Sequence, residues 1–325
     1  MNKRYSYGIY TELIEQYVAY KQTLGFKMKD VAVRLNSLHR LRSLPEDTSQ
    51  GLPKEVFDEW SLPQAEESDN NRYGRIHLLR QFSYYLQIMG YNSYTPKLPP
   101  RKCKFIPHIF TSDEINRIFE ASNKLMLKSS NKLAQVWVMP TLLRMLYSTG
   151  IRIGEALNLK HRDVNLGKGF LMLRNCKNGQ DRMVPMSATV VEVCKDHFLF
   201  KQTQLMDTDS DAYFFTALGG SQCQRCTIYE HFRTIMYKAG IPYRGRKEGP
   251  RLHDLRHTFC VKSLLKMSEA GIDLYCSMPV LSTYMGHQHI KATNGYVRLT
   301  NEMFPGILHK IDAAYRHVFP ETITE

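Results

Sequence analysis

Apolar residues recur every three to four positions through roughly the first 90 residues, a spacing that predicts amphipathic helices. Four such segments cover 9–24, 28–44, 53–60 and 72–89. Gly25, Pro45 and Gly90 stand where three of these segments end, which is typical of helix termination. The pattern therefore predicts a small all-helical N-terminal domain.

The pattern breaks at Thr95-Pro-Lys-Leu-Pro-Pro-Arg-Lys-Cys-Lys. Prolines cannot occupy a helix interior, so residues 96–108 are predicted to form an extended, basic, proline-rich linker. Thr111-Ser-Asp-Glu114 follows, and Thr or Ser three residues before Glu is the pattern of a helix capping box. A second domain is therefore expected to begin near Ile109.

Helical periodicity dominates this second domain, with one interruption. An apolar helix over 133–148 ends at Thr149-Gly150, and a second helix is predicted from Arg152 through Leu159. Two β-prone runs, 170–174 and 182–186, flank a turn that contains Asn178-Gly179 and predict a hairpin. From Thr227 onward the patterns are helical again. The predicted fold class is mainly α, in two domains, with a small antiparallel β-sheet in the larger one.

Composition narrows the class of protein. Apolar residues make up 43% of the 325 residues, as in a globular chain, and no apolar run reaches the roughly 18 residues of a membrane helix. The N-terminus lacks a signal-peptide core, so we expect a cytoplasmic protein without a membrane partner. Seven irregularly spaced cysteines do not form a disulfide framework. Cys223 and Cys226 lack the second ligand pair of a structural zinc site and are predicted to be ordinary thiols.

The chain is strongly basic, with a net charge of +13. Residues 1–100 hold 13 Lys and Arg against 11 Asp and Glu, whereas the remaining 225 residues hold 31 against 20. A basic surface of this kind favours a polyanionic partner such as nucleic acid. Charge alone does not distinguish that partner from a solvated basic surface.

Several polar residues stand in unusual contexts. Arg152 lies among small and apolar residues at a helix start, and buried arginines are rare unless they are paired or hold an anion. His253 and Arg256 are three residues apart, His287 follows a glycine, and Tyr296 follows nine residues later. Taken singly, each residue has a structural explanation: Arg152 could pair with Glu155, His287 could cap a helix, and Tyr296 could simply pack. The ordered combination is what indicates a site.

That combination resembles the catalytic domain of the tyrosine recombinase (phage integrase) family over about 109–299. The family's first arginine falls on Arg152, its His-x-x-Arg on His253 and Arg256, its Gly-His on His287 and its nucleophile on Tyr296. A lysine in a hairpin turn completes the set, and Lys177 is the better candidate, with Lys168 nearby. His257 and His289 match no catalytic position of the family and are expected to be supporting or surface residues.

The resemblance implies a domain plan. Residues 1–95 would be a core-binding, DNA-binding domain, 96–108 the linker, 109–302 the catalytic domain, and 303–325 a tail helix that docks on a neighbouring subunit. Double-stranded DNA is the implied partner, held by a homotetramer on paired sites, with accessory proteins or related recombinase subunits as further partners. Within a bacterial cytoplasm such a protein would work at the nucleoid. The Leu-Ser-Thr-Tyr-Met-Gly-His stretch resembles that of recombinases from bacterial transposons and integrative elements, which implies a mobile element as the source.

The chemistry of these residue types agrees with the resemblance. Arginine forks match phosphate oxygens, histidines donate to those oxygens or move protons, and a lysine can protonate the departing 5′-oxygen. The Tyr296 phenol would form a 3′-phosphotyrosine that conserves the bond energy, so the mechanism requires no cofactor, metal or ATP. Neither a P-loop pattern nor His-Glu-x-x-His occurs in the sequence.

Other functions are compatible with the same residues. A type IB topoisomerase uses similar Arg, Lys, His and Tyr chemistry, although the Gly-His motif and the helical N-terminal domain favour recombination. A catalytically silent DNA-binding accessory subunit is a second alternative, which retention of the full residue set disfavours. A metal-dependent nuclease or transposase is the third, and it would lose activity in chelator.

Overall fold

The computed structural model describes residues 10–28, 30–45, 51–100, 106–125, 135–174, 181–204, 206–217, 219–242, 249–286 and 296. The chain divides into two compact units, Met1–Phe105 and Ile106–Glu325. Lys177, His287, His289 and the predicted tail helix lie outside the described residues.

The described part of the first unit is helical. Its helices are α1 (Thr11–Thr23), α2 (Val31–Asn36), α3 (Lys54–Trp60) and α4 (Asp69–Ile88), with a 3₁₀ turn at Ser37–Arg40 after α2. The second segment is therefore shorter than the predicted 28–44. One reason is local: the Ser37 hydroxyl donates to the Arg34 carbonyl at 2.6 Å and so competes with the helical ladder.

Helix α4 begins three residues before the predicted start at Arg72. Ser68 caps it, because its side chain accepts a hydrogen bond from the Asn71 amide at 3.2 Å. The core of this unit is aromatic at its centre, where Tyr17 meets the rings of Phe82 and Tyr85 at centroid distances of 5.4 and 5.3 Å. The apolar stripes of α1 and α4 thus bury one another.

The second unit combines helices with one small sheet. In chain order the elements are α5 (Ser112–Asn123), α6 (Met139–Thr149), α7 (Ile153–Leu157), β1 (Val164–Asn165), β2 (Phe170–Leu173), β3 (Arg182–Pro185), α8 (Ala188–Thr203), α9 (Arg225–Lys238), α10 (Asp254–Glu269) and α11 (Leu274–Met285). Helix α6 forms the centre of the core and packs against α5, α8 and α10. Helix α10 also packs against α11.

The predicted mainly helical fold with a small antiparallel sheet is confirmed. The strands have the order β1-β2-β3 and both pairs are antiparallel, with Leu173 opposite Arg182 at the end of the hairpin nearest the turn. Strand β1 was not predicted, because two residues are too few to show a period. The turn with Asn178-Gly179 lies outside the described residues.

Two predicted helix ends are confirmed and position the site. Thr111 and Glu114 form a capping box at the start of α5. Gly150 ends α6 with a φ of 61°, where a glycine is favoured, and a side chain at this position would also collide with the Phe259 ring of α10. The chain therefore turns sharply before Arg152 and brings it towards α10.

Candidate functional site

Arg152 stands at the N-cap position of α7 and is held by Glu155 in the first turn of that helix. The Glu155 carboxylate accepts from the Arg152 backbone amide and from its guanidinium, both at 2.8 Å. Arg182 of β3 donates to the same carboxylate from two nitrogens, at 3.1 and 2.8 Å. Glu155 thus joins the helix start to the hairpin and fixes the orientation of Arg152.

The two arginines place the Glu155 carboxylate in a strongly positive electrostatic environment. Burial would raise the pKa of this carboxyl, but hydrogen bonds from Arg182 and Arg152 outweigh that effect and lower the pKa to about 2. Glu155 therefore remains ionised at any working pH. The surplus positive charge of the two arginines leaves the cluster cationic, as a phosphate-binding site requires.

Arg256 is buried in α10, with 3% of its surface exposed. Its guanidinium donates to the Gly150 carbonyl at 2.6 Å and to the Met285 carbonyl at 2.9 Å. Both carbonyls lie at helix ends, where backbone acceptors lack partners within the helix. Burial, and then repulsion by Arg152, lower the pKa of Arg256 to about 10, which still leaves it charged at neutral pH.

His253 occupies the N-cap position of α10, one turn before Arg256. Burial, followed by the positive charges of Arg256, Arg251 and Arg152, lowers its pKa to about 4. His253 is therefore a neutral imidazole at physiological pH. A neutral ring with one N–H can donate a hydrogen bond to a phosphate oxygen without adding charge.

Tyr296 lies beside this cationic cluster and is 7% exposed. Its hydroxyl is 3.0 Å from Nδ1 of His257, and Cys260 is a further neighbour. Burial raises the pKa of the Tyr296 phenol, while the charges of Arg256 and Arg152 act in the opposite direction. The phenol is thus protonated in this conformation, within the field of two arginines.

The structure brings Arg152, His253, Arg256 and Tyr296 of the predicted set together, and Lys177 and His287 lie outside the described residues. Gly286, which precedes His287, is described: it has a φ of 63°, and a Cβ added there would lie 3.1 Å from a guanidinium nitrogen of Arg182. The alternative Lys168 is exposed in the turn between β1 and β2, where its amide donates to Asn165.

Sequence reasoning missed one contact residue of the site, Arg182, and gave another, His257, a supporting or surface role. Arg182 looked like an ordinary polar position of a strand, and only the fold shows that it reaches Glu155. His257 was expected to be a supporting or surface residue, yet it contacts the Tyr296 hydroxyl directly. A signal was present, because Asp254, His253 and His257 lie within one turn at the start of a predicted helix.

The described part of the chain lacks a cluster of metal-binding side chains. No group of three His, Cys, Asp or Glu side chains there has the arrangement needed to hold a metal ion. Within the same ranges Cys223 is buried, Cys226 is exposed, and both thiols are free. Nor does any helix described here have the length and apolarity to cross a membrane.

Comparison with known proteins defines the class. The model of the phage integrase family matches residues 108–303. The chain therefore belongs to the phage integrase family, and its class is that of the tyrosine recombinases, the enzymes of site-specific recombination. The resemblance found in the sequence is confirmed.

The sequence is similar to those of known recombinases over most of its length. A putative integrase/recombinase of Sinorhizobium fredii, y4rB, is 25% identical over 306 residues, which cover 93% of this chain and 97% of the relative. The tyrosine recombinase XerA of Pyrococcus furiosus is 27% identical over 220 residues, 66% of each chain.

Solved structures show the same fold. The XerH site-specific recombinase bound to its palindromic difH substrate in a post-cleavage complex has a TM-score of 0.63 at 18% identity, covering 94% of this chain and 83% of that one. The Tn1549 transposon integrase in complex with transposon right end DNA has a TM-score of 0.64 at 17% identity, covering 91% and 99%.

Proposed function

We propose that this protein recombines double-stranded DNA at specific sites, with Tyr296 as the nucleophile that cuts each strand. The observation that carries the proposal is the position of Tyr296 within the field of Arg152 and Arg256, inside the region that matches the family. A phenol is a weak nucleophile at neutral pH, so it needs a cationic site around its target phosphate.

Arg152 and Arg256 would bind the non-bridging oxygens of the scissile phosphate. Their anchors support this role, because Glu155 orients one guanidinium and two backbone carbonyls orient the other. Preorganised donors of this kind stabilise the charge that develops on phosphorus in the transition state. His253, neutral between the arginines, would donate a further hydrogen bond to the same oxygens.

Lys177 and His287 complete the proposed catalytic set. Lys177 would protonate the departing 5′-oxygen as a general acid, and His287 would contact the phosphate beside the Gly286 turn. Attack by Tyr296 then leaves a 3′-phosphotyrosine and a free 5′-hydroxyl. Because the phosphotyrosine conserves the energy of the broken bond, a 5′-hydroxyl of the other duplex could reseal the strand without a metal or ATP.

The proposed domain plan assigns residues 1–95 to core DNA binding, 96–108 to the linker and 109–302 to catalysis. Two duplexes would be recombined by a homotetramer, with residues 303–325 linking neighbouring subunits and with accessory proteins or related recombinase subunits as further partners. The relatives bound to difH and to transposon DNA support the choice of DNA as the partner.

Two alternative functions predict different activities on DNA. A type IB topoisomerase would relax supercoils without a specific site, whereas the relatives named integrases and recombinases favour strand exchange. A silent accessory subunit would bind DNA without cutting it. The anchored arginines and the adjacent Tyr296 argue against that alternative, since a subunit that does not cut gains nothing from this arrangement.

The test is a trapping experiment with nicked suicide duplexes taken from the protein's own genomic flank, in the presence of chelator. We expect the wild type to form a protein–DNA adduct that survives denaturation, and Tyr296→Phe to form none while binding the same DNA. Tyr284→Phe is the matched control, because Tyr284 is a partly buried tyrosine of the same unit whose hydroxyl donates to the Thr149 carbonyl. An adduct that persists in Tyr296→Phe would show that another residue attacks, and strand cleavage that gives no adduct and stops in chelator would favour a metal-dependent nuclease.

A further inference from the structure

The Tyr296 hydroxyl is in direct contact with His257: its oxygen lies 3.0 Å from Nδ1 of the imidazole. The two rings lie 5.5 Å apart at an angle of 47°. His257 belongs to the first turn of α10 and its side chain is only 17% exposed. The contact is therefore shielded from solvent and held by a rigid element.

An acidic residue lies on the other side of the same imidazole. Nε2 of His257 is 4.0 Å from Oδ1 of Asp254, which is fully buried. The Asp254 carboxylate is itself oriented by Arg251, whose backbone amide and guanidinium donate to it at 2.8 and 3.1 Å. A distance of 4.0 Å is too long for a hydrogen bond but lets the carboxylate stabilise a positive charge on the ring.

We propose that His257 is a catalytic residue that accepts the Tyr296 proton at Nδ1 during cleavage, an inference that rests on the proposed role of Tyr296 as the nucleophile. As the bond from Oη to phosphorus forms, the phenolic proton passes to Nδ1 and the bond from phosphorus to the 5′-oxygen breaks. The 5′-oxygen takes its proton from the general acid. On resealing, the 5′-hydroxyl attacks, and the imidazolium returns its proton to the departing Tyr296 oxygen.

Two other side chains near His257 and Tyr296, Cys260 and His253, are less suited to this step. Burial raises the pKa of the Cys260 thiol to about 12, so Cys260 is protonated at neutral pH and has no vacancy for a proton. His253, whose ring is 4.9 Å from that of His257, is a poor acceptor because burial and the nearby arginines lower its pKa to about 4. In the proposed mechanism His253 binds the phosphate and His257 accepts the proton.

The experiment compares His257→Asn with His257→Ala, because Asn can accept a hydrogen bond from the Tyr296 hydroxyl but cannot take up its proton. Single-turnover rates of cleavage and resealing are measured on the suicide duplex, together with DNA affinity and thermal stability. We expect both variants to cleave and reseal about 10²- to 10⁴-fold more slowly, as is usual for loss of general acid–base catalysis, with unchanged DNA affinity.

Cys260→Ala is the matched control, since it shortens another side chain of α10 that interacts with Tyr296. We expect it to cleave within a few-fold of the wild type. Wild-type rates in His257→Asn would overturn the proposal and leave His257 with a positioning role. Equal losses in Cys260→Ala and the His257 variants would also overturn it, because packing around Tyr296 would then explain both. An adduct persisting in Tyr296→Phe would instead contradict the proposed nucleophile, so the two failures are distinguishable.

Discussion

At the scale of single residues, the site depends on partly or fully buried charges that are held by hydrogen bonds. Glu155 is the clearest case, because one carboxylate accepts from Arg152 on α7 and from Arg182 on β3. An uncompensated buried carboxylate would be costly, whereas two guanidinium forks offset the loss of hydration. The same contacts that stabilise the fold therefore orient the arginine proposed to bind phosphate.

This arrangement predicts how stability depends on pH. The folded-state pKa of Glu155, about 2, lies below the value of roughly 4.3 for an unfolded glutamate, so the unfolded chain binds more protons as the pH falls between these values. The stabilisation is present above pH ~4 and is lost towards pH ~2, to a total of roughly 3 kcal/mol. We expect Glu155→Gln to show a flatter fall in the free energy of unfolding on acidification, measured by urea denaturation from pH 6 to pH 3.

Glu192→Gln serves as the control for that measurement. Glu192 forms an exposed pair with Lys195, and pairs of this kind contribute little to stability. Its pH dependence should follow that of the wild type. If the free energy of unfolding fell equally on acidification in Glu155→Gln and in the wild type, the role given to the Glu155 carboxylate would be contradicted.

At the scale of elements, helix α8 shows why part of the fold escaped prediction. Val190, Cys194, His197 and Lys201 share its buried face, and the last of these is 0% exposed. Two of the four are residue types that normally mark a solvated face, so the apolar stripe is interrupted in the sequence. Lys201 is buried because Nζ donates to the Tyr213 carbonyl at 2.8 Å and meets Nε2 of His161 at 2.7 Å.

The burial of Lys201 has a consequence at alkaline pH. Burial lowers the pKa of Lys201 to about 8, and an unfolded lysine titrates near 10.4, so the unfolded chain binds more protons between these values. Stability should therefore rise with pH through this window, by up to roughly 3 kcal/mol. We expect Lys201→Met to lack this rise, measured as the free energy of unfolding at pH 7.5 and pH 10. Lys195→Met, on the exposed side of the same helix, should retain it.

Elements with local signals were predictable, and elements defined by long-range contacts were not. The capping box at Thr111 and the glycine end of α6 are encoded within four residues, and both were found. The β2–β3 hairpin was found from its β-prone runs, but β1 is too short to show a pattern. Likewise Arg152, His253, Arg256 and Tyr296 were identified because they fit a family motif. The contacts of Arg182 and His257 depend on how distant segments meet, which no local pattern reports.

At the scale of the whole molecule, the positive charge and the proposed chemistry lie in the same part of the chain. The 225 residues after residue 100 carry a net charge of +11, whereas the first 100 carry +2. A surface of this kind binds phosphates without regard to base sequence, and site selection needs base contacts or DNA shape in addition. Strand exchange between two duplexes, as proposed for this protein, would in addition need several protomers held together on the DNA.

That requirement leads to the prediction for residues 303–325. The segment carries an apolar stripe, Ile307, Leu308, Ile311, Tyr315 and Val318, with the spacing of one helix face. If this face docks on a neighbouring subunit, deleting the segment from Met303 onward should abolish recombination of two sites while a single protomer still binds one site.

Ile311→Asp should reproduce the deletion, because a charge would then have to be desolvated in an apolar contact. Ala313→Asp, which adds the same charge to the opposite face, should recombine as the wild type does. Gel-shift assays count the protomers on each duplex and a two-site assay measures recombination. Undiminished recombination in the deletion or in Ile311→Asp would contradict tail-mediated assembly, and an equal loss in Ala313→Asp would attribute the effect to charge alone.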